Sequence, residues 1–288
     1  MALCSFSSIH SNIRYPPPLP PPPSPPTSPL IVWYTFATTT GATTVPNMAT
    51  GYSGTTGTIY PTYTTVSSSN LNVTGNGSLY AIGNNNTSNT SNFTTNQNGY
   101  MSFNSFTVGT NGFSISLWYN ISSIKGGWAR LFTLSNGTTS KFVSINHVDG
   151  SWLAFYVNNV AYDIIDITGT GYIGTSTGTQ YGWTKEKDEW HHIACVIDNT
   201  QKVTFYLNGN DITNNTANTN LAANRRLSNY NSFPANNLLN TNYTTNFLCT
   251  FGSIMNTNSS FTGYIDDFRI YNGTLSQLDV NYLYNYRK

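Results

Sequence analysis

Phe-Thr-Gly-Tyr-Ile-Asp-Asp-Phe-Arg-Ile-Tyr-Asn, running from Phe261 to Asn272, is the stretch on which the fold turns. Its Tyr264–Tyr271 portion is aromatic and β-branched, the composition of a strand. Two earlier stretches have the same character: Trp-His-His-Ile-Ala-Cys-Val-Ile-Asp from Trp190 to Asp198, and Phe-Tyr-Leu-Asn-Gly from Phe205 to Gly209. In Phe113 to Tyr119 the alternation is clean. Phe113, Ile115, Leu117 and Tyr119 share one face, and Ser114, Ser116 and Trp118 take the other. Further strands are expected at Leu30–Phe36, Tyr100–Phe103, Arg130–Leu134, Lys141–Asn146, Trp152–Val157, His191–Ile197, Val203–Leu207 and Phe247–Phe251, separated by segments rich in Gly, Asn or Asp. Thr50 to Asn98 is mostly Thr, Ser, Asn and Gly, and reads as a long loop region with short strands.

Taken as an ordered set, Trp190–Asp198, Phe205–Gly209 and Phe261–Asn272 resemble the closing strands of laminin-G-like domains in the concanavalin A-like lectin/glucanase superfamily. The resemblance covers roughly Leu30 to Tyr286 and is strongest from Phe113 onward. It implies an all-β fold, a two-layer antiparallel jelly-roll sandwich, occupying residues 30–288. One short helix is expected at the C-terminus. Ser276 can cap it, Asp279 sits at the third helical position, and Leu275 can pack on Val280, a capping box with a hydrophobic staple. Leu278, Tyr282 and Leu283 are then expected to face the sandwich.

Residues 1–29 read as a separate arm. Ten of the thirteen prolines lie in the fourteen residues from Pro16 to Pro29. Consecutive prolines fix φ and remove amide donors, so the segment is polyproline II or coil, with a reach of about 40 Å at 3.1 Å per residue. Such an arm serves either as a stiff spacer or as a docking element, and Pro16, Pro20, Pro23 and Pro26 are the candidate contacts with neighbouring subunits.

Composition narrows the function. Charged residues are 8% of the chain and the formal net charge is +1, against about 25% charged residues in an ordinary domain. Polarity is carried by neutral Asn, Thr, Ser, Gly and Tyr. Nucleic acid needs a basic footprint, and Lys185 with Lys187, Arg225 with Arg226, and Arg287 with Lys288 read as solvated loops or termini. No apolar run reaches membrane-spanning length. Met1 to Tyr15 shows no apolar stretch of signal-peptide length, so the surface-like composition comes without a visible export signal. Cys4, Cys195 and Cys249 are odd in number and lack metal-like spacing, which argues against a disulfide framework; Cys195 and Cys249 lie in apolar strand patterns and are expected to be buried thiols.

The superfamily includes retaining glucanases, which need two carboxyl groups about 5–5.5 Å apart. This chain has two Glu in all, Glu186 and Glu189, three apart and just before Trp190. In a strand they point to opposite faces, so no catalytic residues are assigned. Adjacent His191 and His192 cannot share a metal from one strand, and His192 is expected to be satisfied within the sheet. Relatives that bind calcium do so at loop carboxylates, which makes Asp149, Asp266 and Asp267 the candidates. No Asp-dense loop is present, so no cofactor is assigned, and Asp267 is expected to bond backbone or Arg269 instead. Trp128, Trp152 and Trp183, with the Asn-rich loops, are candidate glycan contacts. Asn72, Asn120, Asn136 and Asn272 open sequons, as chance alone provides in a chain so rich in Asn, Ser and Thr.

The expectation is a non-catalytic structural or attachment protein on a particle surface, a minor capsid or virion surface component of a large DNA virus. The alternative is an extracellular carbohydrate-binding module.

Overall fold

The computed structural model describes residues 24–50, 56–60, 71–74, 77–81, 100–124, 129–137, 142–148, 152–157, 160–166, 189–213, 233, 238–248 and 261–286. In chain order the first strands are β1 (Leu30–Tyr34), β2 (Thr44–Val45), β3 (Gly57–Tyr60), β4 (Leu71–Val73), β5 (Leu79–Ala81) and β6 (Tyr100–Phe103). Next come β7 (Phe106–Val108), β8 (Phe113–Ile124), β9 (Ala129–Ser135), β10 (Phe142–Val148), β11 (Trp152–Val157) and β12 (Val160–Asp166). The last are β13 (Trp190–Ile197), β14 (Val203–Leu207), β15 (Asn210–Asp211), β16 (Thr241–Tyr243), β17 (Thr245–Leu248) and β18 (Phe261–Tyr271), followed by helix α1 (Gln277–Asn285).

The first sheet has the order β15-β14-β13-β8-β18-β5-β4, with β1 also paired to β18. The second runs β12-β11-β10-β9-β17-β6-β3-β2, and β7 with β16 forms a short separate pair. Every pairing among the described residues is antiparallel. The architecture is the expected two-layer antiparallel jelly roll with one C-terminal helix.

Alternation explains the core. Phe113, Ile115, Leu117 and Tyr119 of β8 are buried beside Ile193, Cys195 and Ile197 of β13, and meet Leu134, Ile145, Phe155 and Leu248 of the other sheet. Rings close the gap between the layers: Phe155 meets Phe205 edge-on at 5.1 Å and Phe132 meets Phe268 at 6.0 Å. Each such pair adds about 0.5–1.5 kcal/mol beyond its area. The Cys195 thiol lies in this core, and burial pushes its pKa well up.

β18 organises the first sheet. One edge pairs with β8 along its length, while the other is shared, with β5 on Gly263–Ile265 and β1 on Phe268–Tyr271. Gly263 packs so closely on β8 that a Cβ there would collide with the Asn120 carbonyl oxygen. Between the two halves the β18–β8 register shifts: Asp266 faces Trp118 and Arg269 faces Ser116, so Asp267 and Phe268 together oppose Leu117. This is a β-bulge, with Asp267 in the left-handed region at φ 49°.

Some expectations need correction. β1 ends at Tyr34, because Phe36, although buried, turns the chain with φ 52°. β17 begins at Thr245, two residues before the expected strand; residues 249–251 lie outside the described residues. The strands β2, β7, β12, β15 and β16 are not among the expected ones. The capping box of α1 is present, with Ser276 and Asp279 bonding reciprocally. Leu278, however, is 74% exposed and does not face the sandwich. Val280 and Leu283 define the buried stripe, and at 3.6 residues per turn Leu278 lies about 160° around the helix from Val280.

The Pro-rich segment meets the domain at its end. The Asn272 N–H donates to the Pro29 carbonyl, and Ser28 Oγ to the Thr274 carbonyl, both at 2.8 Å. Pro26 is partly exposed; Pro16, Pro20 and Pro23 lie outside the described residues.

Leu283→Ala should lower stability in chemical denaturation by about 2–5 kcal/mol, whereas Leu278→Ala should change it by less than about 0.5 kcal/mol. Equal effects would mean that the helix packs through a different face.

Candidate binding face

The outer face of the first sheet carries the side chains that alternate with the core. Register places them in rows across the strands. One row holds Trp33 of β1, Arg269 of β18, Ser116 of β8, Ala194 of β13 and Tyr206 of β14. The row beside it holds Asp266, Trp118 and His192. The next holds Asn72 of β4, Tyr80 of β5, Tyr264 of β18, Asn120 of β8 and Trp190 of β13.

Helix α1 covers one end of this face. Leu275, Val280 and Leu283 pack on Ala194, Val196, Tyr206 and Tyr271 in a second, smaller apolar cluster. The cover extends to Tyr284, whose ring stacks on Trp118 at 5.7 Å and lies 6.2 Å from His192.

Beside the helix the bulge forms a charged knot. Arg269 grips Asp267 with two bonds, Nε to Oδ1 and a terminal nitrogen to Oδ2, both 2.8 Å. Trp33 Nε1 donates to the same Oδ1 at 2.7 Å, and the guanidinium carbon stands 4.8 Å from the Trp33 ring centre. Both ionic side chains are buried. The expected Asp267–Arg269 contact is therefore present. Asp267 Oδ1 thus accepts from both Arg269 and Trp33, and Oδ2 accepts from Arg269. Asp266 is buried and Asp266 Oδ1 accepts from the Asp267 N–H. Asp149 lies outside the described residues. Among the described residues no group of three His, Cys, Asp or Glu is placed to hold a metal.

Ser116 Oγ and His192 Nε2 are 2.8 Å apart, a Ser–His pair within the sheet. Both side chains are buried, His192 against the rings of Trp118 and Tyr284, and His192 Nδ1 has no hydrogen-bond partner, so the expected satisfaction of this histidine within the sheet is met at one ring nitrogen only. Burial, with the Arg269 charge adding to it, lowers His192 to about 3, so the ring stays neutral. His191 points the other way, toward Tyr119 at 5.7 Å, as alternation requires.

The row beyond the helix is different. Tyr80, Tyr264 and Trp190 are all partly exposed. The Tyr80 and Tyr264 rings lie 4.7 Å apart, and those of Tyr264 and Trp190 6.1 Å apart. Tyr264 and Trp190 sit on strands separated by β8, about 9.5 Å at normal spacing, so their rings lean together over Asn120. Asn120 is 8% exposed, and its Oδ1 has no hydrogen-bond partner. Asn120 in its sequon is thus enclosed in the folded domain.

The tryptophans singled out from sequence do not form this row. Trp128 and Trp183 lie outside the described residues, and Trp152 opens β11 opposite Val148 and Asp166 in the other sheet. Reading Tyr80, Tyr264 and Trp190 as one site required cross-strand register. The outward parity of Tyr264 and Trp190 was the one sequence signal available.

A family model for the Concanavalin A-like lectin/glucanases superfamily, of laminin-G type, matches residues 94–281, and the chain belongs to that superfamily. No curated protein matches the chain significantly. Among solved structures it is similar to the binding domain of botulinum neurotoxin DC in complex with rat synaptotagmin II, with 15% identity and a TM-score of 0.52 over 89% of this chain and 51% of that one. The botulinum neurotoxin serotype C1 binding domain gives 14% identity and 0.50 over 89% and 52%. The chain spans about half the length of these structures, and the likeness is one of fold.

His192 makes stability depend on pH with a defined sign. Unfolded histidine takes up a proton below its ordinary value of 6.5, whereas the folded side chain stays neutral until about 3. Its contribution is whole above that ordinary value and falls as pH drops toward the folded one. Denaturation between about pH 7 and about pH 4.5 should show a loss approaching 1.4 kcal/mol per unit, and His192→Gln should flatten it. An unchanged slope in the variant would place the titration elsewhere.

Proposed function

We propose that this chain is a non-catalytic attachment module on the outer surface of a particle, specifically a virion of a large DNA virus. In this reading the Pro-rich segment docks on neighbouring subunits and the sandwich contacts a receptor or glycan. The carboxylate inventory carries the non-catalytic half. The chain has two Glu in all, and Glu189 is exposed at the head of β13 with Glu186 three residues before it. Asp267 is committed to Arg269. Glycosidic hydrolysis calls for two carboxyl groups flanking one bond, and the sequence spacing of the two Glu with the Asp267–Arg269 pairing supports a reading without it.

Membership of a superfamily that includes lectins supports the binding half, as does a fold shared with toxin binding domains. So does the surface chemistry. Neutral amides, hydroxyls and aromatic rings give hydrogen bonds and stacking worth about 1 kcal/mol each, net of desolvation. A few of them give weak binding that becomes useful when many copies act together, as on a repetitive surface. The ties at Ser28 and Pro29 support an arm that leaves the domain at a fixed point.

The test compares the monomer with the same chain displayed in many copies, on host-type cells and against β-glucan. Weak monomer binding, strong multivalent binding and no release of reducing sugar are expected, unchanged by Glu186→Gln with Glu189→Gln. Removing residues 1–27, which keeps the Ser28 and Pro29 ties, should leave the fold intact and reduce incorporation into particles. Sugar release abolished by the double Gln variant would overturn the non-catalytic reading. Normal particle incorporation of the truncated chain would overturn the docking role.

A further inference from the structure

Building on the attachment reading, we propose that the chain binds a neutral saccharide on the row formed by Tyr80, Tyr264 and Trp190, with Asn120 beneath it as a polar contact. The first observation is position. Helix α1 covers the face only as far as Tyr284 and Trp118, and the row begins where that cover ends. Its three aromatic rings are partly exposed, side by side on rigid strands that hydrogen-bond to each other through β18 and β8.

The second observation is independent of exposure. Asn120 is 8% exposed and its Oδ1 has no partner, directly between the two residues whose rings lean over it. For packing alone an apolar side chain would fill that place without stranding an acceptor. A donor arriving from above as the Tyr264 and Trp190 rings part would satisfy it, and a sugar hydroxyl is such a donor. Partial exposure of the rings then has a use: Tyr80 and Tyr264 pack on each other, and a sugar ring set on the exposed side of that pair lays its C–H bonds against aromatic carbon while its hydroxyls reach the amide.

The chemistry of the row selects the ligand class. By register it consists of Asn72, Tyr80, Tyr264, Asn120 and Trp190, with no ionisable side chain other than the tyrosine hydroxyls. The neighbouring row contributes Asp266, which is buried, and sequence places exposed Glu189 beside Trp190. Acidic sugars and phosphate-bearing ligands would meet the exposed Glu189 carboxylate beside the row and find no cation in the row itself. Aromatic stacking alone would also suit nucleobases, but the absence of a cation in the row disfavours the attached phosphates. A neutral polyhydroxylated ring suits both the stacking surface and the stranded acceptor. The proposed site lies on the open face of the first sheet and uses no metal.

The test uses the full chain in multivalent form on an array carrying neutral and sialylated glycans. Binding to neutral glycans is expected. Tyr80→Ala with Tyr264→Ala should weaken it, by about fivefold per ring in monomer affinity and by more on the array. Tyr264→Phe should retain binding, and Tyr286→Ala, an exposed ring on the helix, should leave it unchanged. Near-ultraviolet circular dichroism shows whether the double variant is folded. Should it not fold, saturation-transfer NMR on the unaltered chain replaces it. Irradiated aromatic protons are expected to transfer to the ring hydrogens of neutral hexasaccharides of glucose, mannose or galactose, and no transfer from any of them would overturn the row proposal.

The outcomes separate this site from the broader reading. Full binding by a folded double variant, or binding to sialylated glycans only, overturns the row and leaves attachment standing. Cell binding without any glycan binding does the same. Binding neither to glycans nor to cells overturns both.

Discussion

The Asp267–Arg269 pair holds the bulge in β18, and much of the outer face depends on that bulge. The extra residue keeps Phe268 and Ile270 directed into the core after Ile265, while Asp267 and Arg269 are drawn together on the opposite side. Trp33 locks the pair from β1 through its indole N–H and its ring face. Two charges taken out of water are costly, and the geometry offsets that cost with two bonds from one guanidinium and a third from the indole. Removing either partner would leave a buried charge uncompensated, a loss of about 3–5 kcal/mol. The pair therefore fixes local geometry more than it adds net stability.

That bulge also divides the outer face into two functional halves. On one side β1 pairs with β18 and the C-terminal helix seals the surface, leaving His192 neutral and inaccessible. On the other side β5 replaces β1, no helix follows among the described residues, and Tyr80 and Tyr264 come within stacking distance. Among those residues no helix is long and apolar enough to cross a membrane. The covered half is built for stability, with apolar side chains and a satisfied ion pair. The uncovered half has rings at the surface, and they lean over the Asn120 amide, whose Oδ1 has no hydrogen-bond partner.

Much of the fold was legible because it rests on local rules. Alternation in Phe113–Tyr119 named the buried face, the Ser276–Asp279 spacing named the helix start, and Asp267 lay close enough to Arg269 to foresee their pairing. Leu278 was misplaced because an apolar residue near a helix start was counted as core, whereas the stripe is set by Val280 and Leu283. β12, with Val160, Tyr162, Ile164 and Ile165, has the composition of a strand, whereas β7 and β16 have three residues each, and a strand that short is defined by its partner more than by its composition. The binding row was hidden for a related reason. Tyr80, Tyr264 and Trp190 come from distant parts of the chain, and only the pairings through Asn120 and Tyr264 bring them together. Of the three tryptophans expected to contact glycan, Trp128 and Trp183 lie outside the described residues and Trp152 belongs to the other sheet.

The central claim is that this sandwich recognises its target through an uncovered sheet face and performs no chemistry on it. A crystal structure of the full chain with a bound neutral hexasaccharide tests it most directly. The account predicts an intact sugar ring lying against Tyr80 and Tyr264, with a hydroxyl within hydrogen-bond distance of Asn120 Oδ1. A saccharide held only among the loops at the end of the sandwich, or one cleaved beside Glu189, with the Tyr80–Tyr264 row bare, would contradict it.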